Sequence, residues 1–156
     1  MYDERADLLT ALRSGPVVLR TLLNVVTDRA GSDDGEDEWS AVEIVCHLRD
    51  AERIALERDQ LIESENRPTL SAYDQDELAE KNAYASQDLA TAVREFEELR
   101  MSHVAFLEGI PAANWGRVGV HEEFGELTIQ QHVAHMAAHD PLHFAQLARF
   151  AAARMP

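Results

Sequence analysis

Four of the chain's seven histidines, His132, His135, His139 and His143, fall in the stretch from Thr128 to Phe150. On a helix with His139 at zero, His143 lies at about +40°, His135 at about −40° and His132 at about +20°. All four share one face, which continues into Met136, Leu147 and Phe150, residues a helix turns toward a core. Imidazoles within an apolar stripe are costly unless their nitrogens are satisfied. A metal ion satisfies them, because histidines at i, i+4 project side by side and take adjacent positions on one ion. The plainer alternative is a His-rich polar face, or core histidines held by ordinary hydrogen bonds. A pair cannot complete a metal site, so a third ligand elsewhere is what separates the two.

The elements that must position these residues read as helices joined by short polar breaks, with strand signals almost absent. The expected fold is all-α. The first segment, about Asp3 to Asp28, is apolar at helical spacing through Leu8, Leu12, Leu19 and Leu23. Pro16 removes one hydrogen bond there and predicts a kinked helix, two short abutting helices being the alternative. Gly31 to Glu38 is a charge run without the alternating Asp/Asn spacing of a calcium loop, and reads as a solvated connection.

Ser40 with Glu43 forms an S-x-x-E capping box, and Trp39 with Ile44 supplies a hydrophobic staple. They predict a helix from about Ala41 to Glu63 whose buried stripe carries His47. Glu43 and Asp50 flank His47, and either could accept its other N–H or approach the metal. Ser64 to about Tyr73 suits a crossover along the bundle. Asp74 with Glu77 then caps a third helical region reaching Gly109, with a possible break at Ser86. Pro111 to Leu127 reads as a long loop in which Trp115 and His121 either border a pocket mouth or simply pack. Thr128 with Gln131 opens the last helix, which runs to about Arg154.

His47 supplies the third ligand on geometric grounds. If the second and last helices are antiparallel, His47 lies about 10 Å along the axis from one end of its helix and His143 about 16 Å from the corresponding end of its own. His132 and His135 would lie about 28 to 33 Å from that end, too far for the same ion. The expected metal ligands are His47, His139 and His143. His132 and His135 are left for polar packing or the entrance.

Bulk properties narrow the function. At 156 residues the chain is expected to form one domain, residues 1–156. A net charge of −15, from 29 acidic and 14 basic residues, repels phosphate backbones and argues against nucleic acid. A single cysteine, Cys46, excludes an intrachain disulfide and a Cys-rich zinc module, and reads as a small buried hydrophobe. It is a poor nucleophile for the site, being displaced about 100° around the helix from His47. Neither a membrane span nor a signal peptide is evident, so a cytoplasmic location without membrane contact is expected.

The motif W-S-x-x-E-I-x-x-H-L-x-D-A-E in Trp39 to Glu52, then F-G-E-L-T in Phe124 to Thr128 and H-x-x-x-H in His139 to His143, resembles the DinB/YfiT-like family. The likeness extends over the whole chain. It implies a four-helix bundle of up-down-down-up topology, with a long crossover between the second and third helices. It also implies a divalent metal on three histidines, here His47, His139 and His143, and a homodimer. It does not imply DNA binding. Three neutral imidazoles leave positions open for water or a small-molecule substrate, the layout of a catalytic site. Zinc and nickel both accept such ligands. Some relatives are transferases or isomerases using a low-molecular-weight thiol such as mycothiol or bacillithiol, which makes thiol-dependent S-transfer the first expectation. Metal-dependent hydrolysis and a non-catalytic, stress-associated metal-binding or scaffold role are the alternatives. The substrate is not legible.

Overall fold

The computed structural model describes residues 4–26 and 39–152, and Gly31 to Glu38 lies outside them. The described chain is mostly helical. In chain order it forms α1 (Glu4–Val26), α2 (Ala41–Ser64), β1 (Thr69–Leu70), the short α3 (Gln75–Lys81), α4 (Leu89–Gly109), β2 (Val118–His121), β3 (Gly125–Thr128) and α5 (Ile129–Ala152). The four long helices form a bundle in which α1 and α2 each pack against both α4 and α5.

The capping signals operate as read. Ser40 N–H donates to Glu43 Oε2 at 2.8 Å, completing the box at the start of α2. Thr128 N–H donates to Gln131 Oε1 at 2.9 Å, and Gln131 N–H donates back to Thr128 Oγ1 at 3.1 Å. Pro16 sits inside one helix rather than between two. The third helical region does break. Asp74 caps α3, Ala83 takes a left-handed φ of 49° beyond its end, and Asp88 caps α4 afresh by accepting from Thr91 N–H at 2.8 Å.

The all-α expectation needs a correction. β1, β2 and β3 form a small sheet in that order, β1 parallel to β2 and β2 antiparallel to β3. The segment after α2 thus contributes an edge strand, and the expected long loop is largely a hairpin. Strands of two and four residues are too short to show alternation in a sequence.

The apolar core falls into two clusters. One gathers Leu12, Ala55, Val104, Met136 and Trp115, the other Leu19, Leu48, Phe96, Phe144 and Leu147. A polar or glycine position stands between them on three of the long helices, Gly15 on α1, Arg100 on α4 and Asp140 on α5, and on α2 Glu52 lies just inside the first cluster, beside Ala51.

Candidate metal centre

α2 and α5 bring three histidines to this polar level. His139 Nε2 stands 3.1 Å from His47 Nε2 and 3.0 Å from His143 Nε2. The capping box sets where α2 starts, and so the height of His47. Trp39, just before it, lays its ring 5.0 Å from the His47 imidazole. His143 Nδ1–H donates to Gln146 Oε1 at 2.7 Å, which leaves its Nε2 lone pair for the common centre.

Burial, then the neighbouring His143, pushes His47 down to about 4 and His139 to about 3, with His47 adding to the effect on His139. Burial lowers His143 as well. All three imidazoles are thus neutral at pH 7, the form that ligates a cation. Neutral rings with one N–H each cannot satisfy three nitrogens meeting at one point, whereas a cation can. These ligand atoms lie within 4.8 Å of one another, a donor set that fits a divalent ion.

The trio stands between two cavities. One, of about 360 Å³, is lined by His47 and His139 together with Arg58, His121, His132 and His135. The other, of about 350 Å³, is lined by His143, Trp39, Gln146 and Arg149. His121 therefore does border a cavity, as the loop reading allowed. Trp115 packs instead: it is 2 % exposed and belongs to the core.

The carboxylates proposed to support His47 are engaged elsewhere. Asp50 Oδ1 accepts from Arg49 and Arg53 at 2.8 and 3.0 Å, and its Oδ2 accepts from Asn82 and Tyr84 at 2.9 and 2.7 Å. Glu43 serves the capping box. Cys46 Sγ lies 3.5 Å from Gln87 Oε1, and burial pushes its thiol up to about 11, so it supplies no thiolate.

Sequence reasoning missed a buried chain of charged groups beside the centre. Arg100 donates to both oxygens of Asp140, at 2.7 and 3.0 Å, and to Glu52 Oε2 at 2.8 Å. His103 Nδ1 is 2.8 Å from Glu52 Oε1, and its Nε2 is 2.9 Å from Asp59 Oδ2. His132 Nδ1 lies 2.7 Å from Asp59 Oδ1. Burial alone would depress His103, but its hydrogen bonds to Asp59 and Glu52 outweigh that and raise it to about 9. The available signal was the i, i+7 pair Glu52 and Asp59 within the α2 stripe, with Arg100 and His103 at i, i+3 on α4.

Comparison with known families joins these observations, for the model of the DinB superfamily matches residues 11–147. The chain belongs to the DinB superfamily. No curated protein matches this DinB-superfamily chain. Among solved structures it is similar to YfiT from Bacillus subtilis, with a TM-score of 0.86 at 20 % identity, over 96 % of this chain and 87 % of that one. That protein is described as "a probable metal-dependent hydrolase with an unusual four-helix bundle topology". Among the described residues no helix is long and apolar enough to cross a membrane.

Proposed function

We propose that the protein is a divalent-metal-dependent enzyme in which His47, His139 and His143 hold zinc or nickel through Nε2, and that it transfers a low-molecular-weight thiol of the mycothiol or bacillithiol kind to an electrophilic small molecule. The observation that carries this reading is the position of the three nitrogens between two cavities of similar volume, about 360 and 350 Å³. Two reactants then have separate approaches to one centre. When bound, the ion supplies Lewis acidity, lowering the pKa of a thiol or water placed at an open position. The chain's residues do the remainder. His143 is oriented by Gln146, His47 is backed by the Trp39 ring, and Arg58 brings a positive charge to the larger cavity. The neutralised Cys46 leaves the nucleophile to come from outside.

Hydrolysis, with water as the nucleophile, is the second reading, favoured by the description of the structurally similar YfiT. The up-down-down-up course with its crossover belongs to the same proposal. It is supported by the order of side-chain pairs: Arg20 with Glu97 and Arg13 with Glu108 between α1 and α4, Arg49 with Glu95 and Asp59 with His103 between α2 and α4. The first two pairs run in opposite directions along their helices and the last two run together.

The test is optical and chemical. A cobalt- or nickel-substituted protein titrated with a sugar-linked cysteine thiol should gain a sulfur-to-metal charge-transfer band. It should also consume that thiol when an alkylating electrophile is added, with His143→Ala as the blank. Equal rates in protein and blank would overturn the transferase reading. Ester turnover without thiol would establish the hydrolase, and neither activity would leave a non-catalytic metal protein.

A further inference from the structure

The cavity that His47 and His139 line has a third histidine in its wall with a different kind of support. His132 lies seven residues before His139 on the same face of α5, about 10 Å along the axis. It is 5 % exposed and lines the cavity. Its Nδ1 is committed to Asp59 Oδ1 at 2.7 Å, so Nε2 is the nitrogen left for the cavity.

Asp59 is itself fully buried and held from behind. Its Oδ2 takes a hydrogen bond from His103 Nε2 at 2.9 Å, while His103 Nδ1 donates to Glu52 at 2.8 Å. A ring lying between two carboxylates donates from both nitrogens and is an imidazolium. Burial would raise Asp59, yet its hydrogen bonds to His103 and His132 keep its carboxyl low, so it is ionised. An ionised carboxylate at Nδ1 fixes the tautomer of His132: the proton sits on Nδ1 and a lone pair on Nε2 faces outward. Behind His132 the buried groups comprise three carboxylates, Glu52, Asp59 and Asp140, against two cations, Arg100 and His103. The other ionisable groups lining the cavity are Arg58, Tyr73, Asp74, His121, Glu123 and His135, beside the ligand histidines His47 and His139.

We propose that His132 is the general acid–base catalyst of this cavity, with Asp59 and His103 as its positioning residues. The proposal rests on the reading of the cavity as a reaction site. The S–H or O–H bond of the incoming thiol or water breaks as its proton passes to His132 Nε2. Its electron pair forms the bond to the electrophilic carbon, whose bond to the leaving group breaks. The imidazolium returns the proton to the leaving group, so His132 ends neutral and no further reactant is needed. The arrangement is that of a carboxylate-oriented imidazole, whose value depends on the tautomer.

The experiment uses the full chain, zinc-loaded and labelled with 15N-histidine. Long-range proton–nitrogen spectra should show His132 protonated at Nδ1 with a bare Nε2, and Asp59→Asn should shift the proton toward Nε2. A wild-type His132 that is protonated at Nε2 while neutral would overturn the proposal without any activity measurement. In parallel, thiol consumption and ester hydrolysis are followed for wild type and His132→Gln. The expected result is a fall in kcat of about 100-fold or more with zinc content unchanged. Equal kcat in the two proteins would also overturn it. If wild type turns over neither substrate, the functional reading fails, and the proton acceptor at His132 stands or falls on the spectra alone.

Discussion

Arg100 donates to the carbonyl that Pro16 strips of its helical partner. Proline has no N–H to return to the residue four before it, and here that residue is Leu12, whose oxygen lies 2.9 Å from Arg100 Nη1. A break in the α1 ladder is thus closed by a side chain from α4, and α1 continues through the proline. The same guanidinium pairs with both Glu52 and Asp140.

Removing Arg100 therefore strips Asp140 and the Leu12 carbonyl of this donor and leaves Glu52 with His103 alone. Arg100→Ala should cost about 3–5 kcal/mol in denaturant unfolding. Pro16→Ala restores an N–H to the Leu12 carbonyl, so a double-mutant cycle should show a coupling of about 1 kcal/mol, with the proline replacement less harmful without Arg100 than expected from additivity. Strict additivity would show that the two residues do not share that carbonyl.

Gly15 gives this arrangement its room. A Cβ there would stand 2.6 Å from Asp140 Oδ2 and 2.8 Å from Arg100 Nη1, whereas one at Gly109 would meet nothing within 4 Å. Alanine in a helix normally stabilises relative to glycine. Gly15→Ala should instead destabilise by about 1–3 kcal/mol, with Gly109→Ala neutral or stabilising. Thermal melts of the two variants compare the signs directly.

His103 makes stability depend on pH in alkaline solution. Its folded-state value of about 9 stands above the unfolded value of 6.5, so the stabilisation is complete below about pH 6.5 and is lost as pH rises through 9. The loss is on the order of 3 kcal/mol for a shift of this size. Unfolding free energies measured from pH 6 to 10 should fall for wild type. His103→Gln should be less stable at pH 6 and have a flatter profile, and parallel profiles would remove His103 as the source.

Metal analysis separates the histidines by role. His47→Ala, His139→Ala and His143→Ala should each abolish stoichiometric zinc or nickel, while His132→Ala and His135→Ala should retain it. Because burial keeps His47 and His139 neutral well below pH 6, loading at pH 6 should release little proton in calorimetry across buffers of different ionisation heat. Loss of the ion in His135→Ala with retention in His143→Ala would reverse the ligand assignment.

The sequence carried the histidine trio because its signals were local: i, i+4 spacing on α5 and a capping box that counts His47 from the start of α2. Helix ends marked by Ser40, Asp74 and Thr128 were legible for the same reason. The partners of Asp50 and Glu52 were not, since Tyr84, Asn82, Arg100 and His103 lie far along the chain and meet them only through packing. The small sheet escaped because β1 pairs with β2 across about fifty residues, over a length that leaves no periodic trace.

The charged level across the bundle also acts as a key that fits one alignment of the helices. Leucine rows tolerate a slip of one helical turn, about 5.4 Å, at modest expense, but the same slip of α4 along α2 would take Arg100 from Glu52 and His103 from Asp59, leaving buried charges facing apolar neighbours. Asp140 ties α5 to that alignment from the position next to His139. The accuracy with which three imidazoles meet is then inherited from ion pairs beside them, and mutations that erode the centre can arise in residues that would bind no ion.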